Sequence, residues 1–173
     1  MYLLERVKVP KEMLADGEDP NSEWGVWKLI ESTVTDEELK NIEDIYGIKF
    51  PIIIKAFLST YHHLFDYPIG DNGVNKKLNG FKMPYNHHLT ANNMLPFAWD
   101  KDNCFIRFVD LTNMPDEEKC PVFEIDHEYL FDIMYDAEAN GEIVNKEQLL
   151  RYMRPVSDNF YKYLDNIYND LDK

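Results

Sequence analysis

The chain is poor in cysteine, and this limits what can hold its fold together. Only Cys104 and Cys120 occur among its 173 residues. Two thiols supply neither a disulfide framework nor a four-thiolate zinc site. We therefore expect a fold held by its hydrophobic core, with both thiols reduced and buried.

Basic residues and long apolar runs are also scarce. Lys and Arg number 18 against 32 Asp and Glu, which gives a formal net charge of −14. Such a charge repels phosphate backbones and anionic lipid surfaces. No run approaches the roughly 20 apolar residues of a membrane span, and residues 1–9 lack the apolar centre of a secretory signal. These absences argue against direct binding to nucleic acid or membranes, and they predict a cytoplasmic protein.

Enough apolar material is present for one sizeable core. Hydrophobic residues make up 45% of the chain and aromatic residues 14%, which suffices to offset the entropy cost of ordering. A chain of this length suits a single domain. The turn-rich run at 15–21 marks residues 1–21 as an N-terminal appendage, so residues 22–173 are predicted to form the domain.

A helix, a break and a second helix are predicted early in this domain. Thr35 and Glu38 have the spacing of a capping box, which begins the first helix. Gly47 ends it because glycine readily takes the left-handed conformation, and Pro51 then begins the second helix. The second helix carries a wide apolar stripe, which predicts a central place in the core: Ile53, Ile54, Phe57, Leu58 and Tyr61.

Alternation of apolar and polar residues predicts strands in the middle of the chain. Three of them cover 94–99, 104–111 and 121–125, joined by a polar turn and a loop. The second has apolar residues on both faces, which indicates an interior strand. Residues 23–31 read as an earlier strand with a bulge at Gly25.

The remaining segments are predicted as a loop and three helices. Residues 68–84 are rich in glycine and asparagine, which favours a loop or a short hairpin. Helical patterns follow at 127–140, 146–153 and 157–171. The chain is thus of the α+β class, with helices around a mainly antiparallel sheet.

No enzymatic motif stands out. Neighbouring side chains diverge on helices and strands, so neither His62-His63 nor His87-His88 is expected to chelate a metal by itself. A zinc site of Cys104, Cys120 and His127 has no supporting spacing. The phosphate-binding glycine loop, the dinucleotide fingerprint and the nucleophile elbow are absent from the sequence. We predict a protein without catalytic activity, cofactor or metal.

Acidic residues give the clearest surface pattern. Glu128, Asp132 and Asp136 lie four apart on a predicted helix, where like charges cost a few tenths of a kcal/mol per pair. More acidic residues lie in the preceding loop and turn. On the charge pattern alone, a solvated face explains these residues better than a binding face does. As a binding face, it would comprise Asp100, Asp102, Asp116, Glu117, Glu118, Glu128, Asp132 and Asp136.

Two blocks of the sequence carry a recognisable order of elements. The first spans 35–58 and contains Ile42-Glu43, Gly47-Ile48-Lys49-Phe50-Pro51 and Phe57-Leu58. The second spans 95–128 with its strand, polar turn and strand before Asp-His-Glu. Together these blocks resemble the SUKH superfamily, which includes the fungal Smi/Knr regulators and many bacterial immunity proteins. The segment 61–64 departs from the family's usual Asn-Gly turn.

The resemblance implies a SUKH-type α+β fold with a mainly antiparallel sheet. For bacterial members it also implies a non-enzymatic immunity protein that binds a cognate toxin. Together with the acidic charge, it predicts a basic nuclease-type toxin of a bacterial polymorphic toxin system as the partner. Two alternatives stay open. One is a regulatory protein–protein interaction module in signalling or cell-wall control, and the other is a metal-dependent hydrolase that uses the histidines.

Overall fold

The computed structural model of the chain describes residues 9–19, 26–64, 69–74 and 78–171. Its α-helices are α1 (Asp36–Tyr46), α2 (Ile52–Thr60), α3 (Asn86–Thr90), α4 (His127–Ala139), α5 (Lys146–Leu150) and α6 (Phe160–Leu171). Its strands are β1 (Ile30–Glu31), β2 (Tyr61–His62), β3 (Met94–Trp99), β4 (Phe105–Asp110), β5 (Val122–Asp126) and β6 (Arg154–Ser157).

Two antiparallel sheets organise these elements. The main sheet has the order β3-β4-β5-β6, and each strand runs antiparallel to its neighbours. β1 and β2 form a separate two-stranded sheet. This arrangement confirms the α+β class and the mainly antiparallel sheet. It also confirms that β4 is an interior strand.

The main sheet lies between two hydrophobic cores. Along β4, Ile106 and Phe108 belong to one core, whereas Val109 and the following Leu111 belong to the other. This division follows from the alternation of side chains across a strand. Buried residues of α1, α2 and α6 contribute to the core that contains Val109. Those of α3, α4 and α5 contribute to the core that contains Ile106.

The C-terminal part of the sheet differs from the sequence prediction. β6 occupies Arg154–Ser157 at the edge of the sheet, where no strand was predicted. α5 therefore ends at Leu150, and α6 begins at Phe160 rather than at residue 157. The strand is short and contains Pro155, which is tolerated at an edge because fewer ladder hydrogen bonds are required there.

The N-terminal predictions are met in part. Trp24 and the predicted bulge at Gly25 lie outside the described residues. Of the predicted strand at 23–31, Ile30–Glu31 form β1 and Trp27 makes an isolated bridge with Leu14. Within the predicted appendage, Met13 is buried and its carbonyl accepts a hydrogen bond from the Lys28 amide.

The segment predicted as a loop or short hairpin contains two 3₁₀ turns, at Ile69–Asp71 and Asn79–Lys82. Neither described part of it forms a strand. Its residues 68 and 75–77 lie outside the described chain.

The predicted break between α1 and α2 is confirmed. Thr35 and Glu38 form the capping box, and Gly47 is left-handed with φ 65°. Pro51 lies one position before α2, as its N-cap, rather than inside its first turn. Tyr61 falls in β2 and does not extend the apolar stripe of α2.

Glu43 links these two helices across the break. Its side chain is only 3% exposed, although it lies in the last turns of α1. One oxygen accepts a hydrogen bond from the Phe50 amide (2.9 Å) and contacts the Lys55 ammonium (2.7 Å). The other lies 3.2 Å from the Lys49 ammonium. One carboxylate thus connects α1, the break and α2.

The environment of Glu43 favours its charged form. Burial alone would raise the pKa of Glu43, but hydrogen bonds from Lys55, the Phe50 amide and Lys49 outweigh burial and lower it. A lowered carboxylate pKa contributes stability above the unfolded pKa of about 4.3. This contribution is lost as the pH falls from there through the folded pKa.

We predict that Glu43→Gln lowers the free energy of unfolding at pH 7 by roughly 1–3 kcal/mol, because it removes charge-assisted bonds from a buried site. The deficit should shrink as the pH falls from about 4.3 through the lowered folded pKa of Glu43, where the native wild-type carboxylate also becomes protonated. Urea unfolding at neutral pH and at about pH 3 measures both effects. Glu31→Gln, at an exposed position, is the control, and an equal loss in both variants would contradict the assignment.

Candidate partner-binding face

The predicted acidic residues do not form one surface. Asp100 and Asp102 lie in the turn before β4. The second group, Asp116, Glu117 and Glu118, lies in the loop after β4. These two groups are therefore at opposite ends of the strand. Glu128 lies near the first group, since the neighbouring His127 amide donates a hydrogen bond to the Cys104 carbonyl.

Glu117 is engaged inside the fold. Its two carboxylate oxygens accept hydrogen bonds from the Ile52 amide (2.6 Å) and the Ile53 amide (3.2 Å). These amides begin α2, whose N-cap residue Pro51 makes no side-chain capping bond. Glu117 therefore caps α2 from a distant loop, and its negative charge complements the helix dipole.

The neighbours of Glu117 are more exposed. Asp116 forms an ion pair with Lys119 at 2.7 Å. Glu118 has an exposed side chain, and its backbone carbonyl accepts from the Asn159 side chain. This loop packs beside α2 and α6, and thus lies apart from α4.

Asp100 is also engaged inside the fold. It is buried, and its Oδ1 accepts hydrogen bonds from the amides of Cys104 (2.7 Å) and Phe105 (2.8 Å). These bonds close the turn between β3 and β4. Of the two predicted carboxylates in the turn, Asp102 is the exposed one.

Helix α4 carries the other three predicted residues. Asp126 caps it by accepting from the Glu128 amide at 2.9 Å, and Gly141 follows its end with φ 71°. Leu130 and Ala137 point into the core. The opposite side of the helix is exposed and presents Glu128, Asp132 and Asp136.

Exposed tyrosines share this side of α4. Tyr129 is 51% exposed and Tyr135 is 75% exposed. At 3.6 residues per turn, they fall in the same arc as the carboxylates. We call this surface the α4 outer face: Glu128, Tyr129, Asp132, Tyr135 and Asp136. The sequence reasoning missed the tyrosines, although their three-residue spacing from Asp132 was a usable signal.

Aromatic contacts hold the surroundings of the α4 outer face. The Tyr129 ring stacks on Tyr152 with centroids 4.8 Å apart. The ring of Phe131, at the margin of the face, has its centroid within 6.4 Å of the ring centroids of three neighbours: Tyr85, Trp99 and His127. The Tyr129 side chain is therefore already ordered in the free protein, and such ordering lowers the entropy cost of binding at a surface.

The fixed charges of the α4 outer face are all negative. Helix α4 contains neither Lys nor Arg. Among the described residues, no cation forms an ion pair with the three carboxylates of the α4 outer face. The negative charge of these carboxylates is therefore not neutralised by a described ion pair.

The two thiols have different environments. Cys120 is buried, as predicted, but Cys104 is exposed, which corrects the expectation that both are buried. Cys104 is exposed because it lies in the turn just before β4, outside the sheet ladder. Partial desolvation and the charges of Asp100, Asp102, Asp126 and Glu128 raise the pKa of its thiol, so the thiolate form is disfavoured.

One group of side chains has the composition of a metal site. Ligand atoms of His87, His88 and Glu138 lie within 4.8 Å of one another, so tertiary contact brings together groups that the sequence reasoning kept apart. However, His88 Nδ1 accepts from the Val144 amide (3.2 Å), which leaves the proton on Nε2, 3.0 Å from Glu138. A protonated Nε2 cannot bind a metal, and this arrangement therefore does not fit one.

The other histidine pair is structural. His62 Nε2 accepts from the Thr33 amide and its Nδ1 donates to the Asn72 carbonyl, both at 3.0 Å. His63 stacks on Phe57, and burial lowers the pKa of His63 to about 4. Both rings are thus occupied in packing and hydrogen bonding.

The chain matches no family model, no curated protein and no solved structure. Within the described residues, no helix is long and apolar enough to cross a membrane.

We predict that Glu117→Ala lowers the free energy of unfolding by about 1 kcal/mol, because it removes the cap of α2. Glu118→Ala is the matched control, and its effect should stay within about 0.5 kcal/mol. Urea denaturation of both variants measures the difference. Equal stabilities would show that Glu117 does not act as a cap.

Proposed function

We propose that this protein is a non-enzymatic immunity protein of a bacterial polymorphic toxin system, which binds and neutralises a basic nuclease-type toxin. The observation that carries the proposal is the α4 outer face, where exposed tyrosines alternate with carboxylates that have no described cationic partner. The resemblance of segments 35–58 and 95–128 to the SUKH superfamily supports the same function, and with it a SUKH-type fold.

The chemistry of this face suits a basic protein. Tyrosine is enriched among the residues that dominate binding energy at interfaces. The net charge of −14 accelerates encounter with a cationic partner. Binding also relieves repulsion within α4, because Glu128, Asp132 and Asp136 are spaced four residues apart. A toxin whose nucleic-acid site is basic would be occluded by such a surface.

The structure narrows the set of residues that we propose for contact. Asp100 and Glu117 are engaged in backbone hydrogen bonds, and the exposed residues Asp116 and Glu118 lie at the other end of the sheet. We therefore centre the interface on the α4 outer face and extend it to Asp102.

The regulatory alternative would use the same face for a cellular partner in place of a toxin, and dependence of protection on a toxin separates the two. The hydrolase alternative is opposed by His88, whose hydrogen bonds place the proton on the nitrogen nearest Glu138.

We predict that reversing Glu128, Asp132 and Asp136 together to Lys abolishes protection against the toxin. The change replaces attraction by repulsion at exposed positions, so the fold should persist. A toxin encoded beside the gene is co-expressed with wild-type or variant protein, and cell survival and co-purification are measured.

Reversal of Glu31, Glu37 and Asp165 to Lys is the matched control. These residues are exposed, and their reversal changes the net charge equally. The control should retain protection. Protection by the α4 variant, or equal loss in both variants, would contradict the proposed interface, and absence of toxin binding by the wild-type protein would contradict the function.

A further inference from the structure

The α4 outer face combines carboxylates with tyrosine rings, and arginine and lysine interact differently with such a combination. Asp132 lies three residues from both Tyr129 and Tyr135, and residues at this spacing are neighbours on a helix surface. Tyr135 is 75% exposed and Tyr129 is 51% exposed. Each tyrosine ring is therefore accessible beside a carboxylate.

Arginine and lysine use such a surface differently. A guanidinium is planar, so it can stack on a tyrosine ring and also donate two parallel hydrogen bonds to a carboxylate. A lysine ammonium is a compact, strongly hydrated point charge, and it gains less from an exposed ring. A face of carboxylates alone would discriminate little between the two.

The chain itself shows that arginine stacks in this way. The Arg154 guanidinium lies 4.0 Å from the centroid of the Phe105 ring and donates to Glu124 at 2.7 Å. The Arg107 guanidinium lies 5.7 Å from the centroid of the Tyr163 ring, donates to the Tyr163 hydroxyl at 3.2 Å and donates to Glu124 at 3.3 Å. Arg154 thus stacks on a ring beside a carboxylate, whereas Arg107 combines a carboxylate with a tyrosine hydroxyl.

From these observations we propose that the α4 outer face binds an arginine-bearing segment of the partner protein, in preference to a lysine-bearing one, by stacking guanidinium groups on Tyr129 and Tyr135 beside Asp132 and Asp136. The proposal rests on the proposed function for the identity of the partner. A second copy of this chain is disfavoured as the occupant, because two such faces would place like charges opposite each other.

The test uses two fluorescent peptides of equal length and charge, one with four arginines and one with four lysines, titrated by anisotropy at near-physiological ionic strength. The wild-type protein should bind the arginine peptide about tenfold more tightly. The double variant Tyr129→Leu/Tyr135→Leu should lose most of this arginine preference, and its affinity for the lysine peptide should fall less than its affinity for the arginine peptide. Asp132→Asn/Asp136→Asn should weaken the binding of both peptides.

Two further variants keep the test decisive. Tyr135 makes none of the described ring contacts, so Tyr135→Leu alone should reduce the arginine preference even if loss of the Tyr129–Tyr152 stack unfolds the double variant. Tyr161→Leu/Asp165→Asn, at exposed positions of α6, is the matched control and should leave both affinities unchanged.

Equal wild-type affinity for the two peptides would overturn the proposal, and so would an arginine preference that Tyr135→Leu leaves unchanged. Self-association in sedimentation velocity that Tyr135→Leu abolishes would assign the face to a second copy and overturn it too. The assay contains no toxin, so these outcomes are separate from the protection assay. If the protein protects cells but shows no arginine preference, the proposed function stands and this inference is wrong.

Discussion

The buried carboxylate of Glu43 is the interaction on which the arrangement of the first two helices depends. It accepts a hydrogen bond from the Phe50 amide and contacts two lysine ammonium groups, and so links α1 and α2 across the break. Together with α6, these helices supply the apolar side chains that cover one face of the sheet. The other face is covered by α3, α4 and α5, and this leaves the far side of α4 in solvent.

The acidic residues discussed above fall into two groups. Those of the first group accept hydrogen bonds from backbone amides, and those of the second group are exposed. Glu43, Asp100 and Glu117 each accept backbone amides, so they stabilise a corner, a turn and a helix start. Glu128, Asp132 and Asp136 are exposed on one helix side without a described cation. Negative charge that stabilises the fold is thus separated from the exposed negative charge that we propose for partner binding.

Local signals in the sequence predicted much of the fold. The capping box, the left-handed Gly47, the three alternating strands and the limits of α4 all depend on neighbouring residues. β6 was missed because four residues that include Pro155 carry little alternation. The roles of the carboxylates were beyond local reasoning, because Glu117 caps an amide 65 positions away and His88 meets Glu138 only through tertiary contact. The acidic stripe was predictable from its spacing, whereas the candidate role of the tyrosines beside it depends on their exposure in the fold.

Hydroxyl-radical footprinting of the protein, alone and saturated with its co-purified partner, tests the central claim most directly. Tyrosine reacts according to its exposure, so the readout reports each ring separately. If the α4 outer face is the interface, Tyr129 and Tyr135 lose reactivity in the complex while the exposed Tyr161 of α6 keeps it. Unchanged reactivity of Tyr135, with protection at Tyr161 instead, would contradict the account.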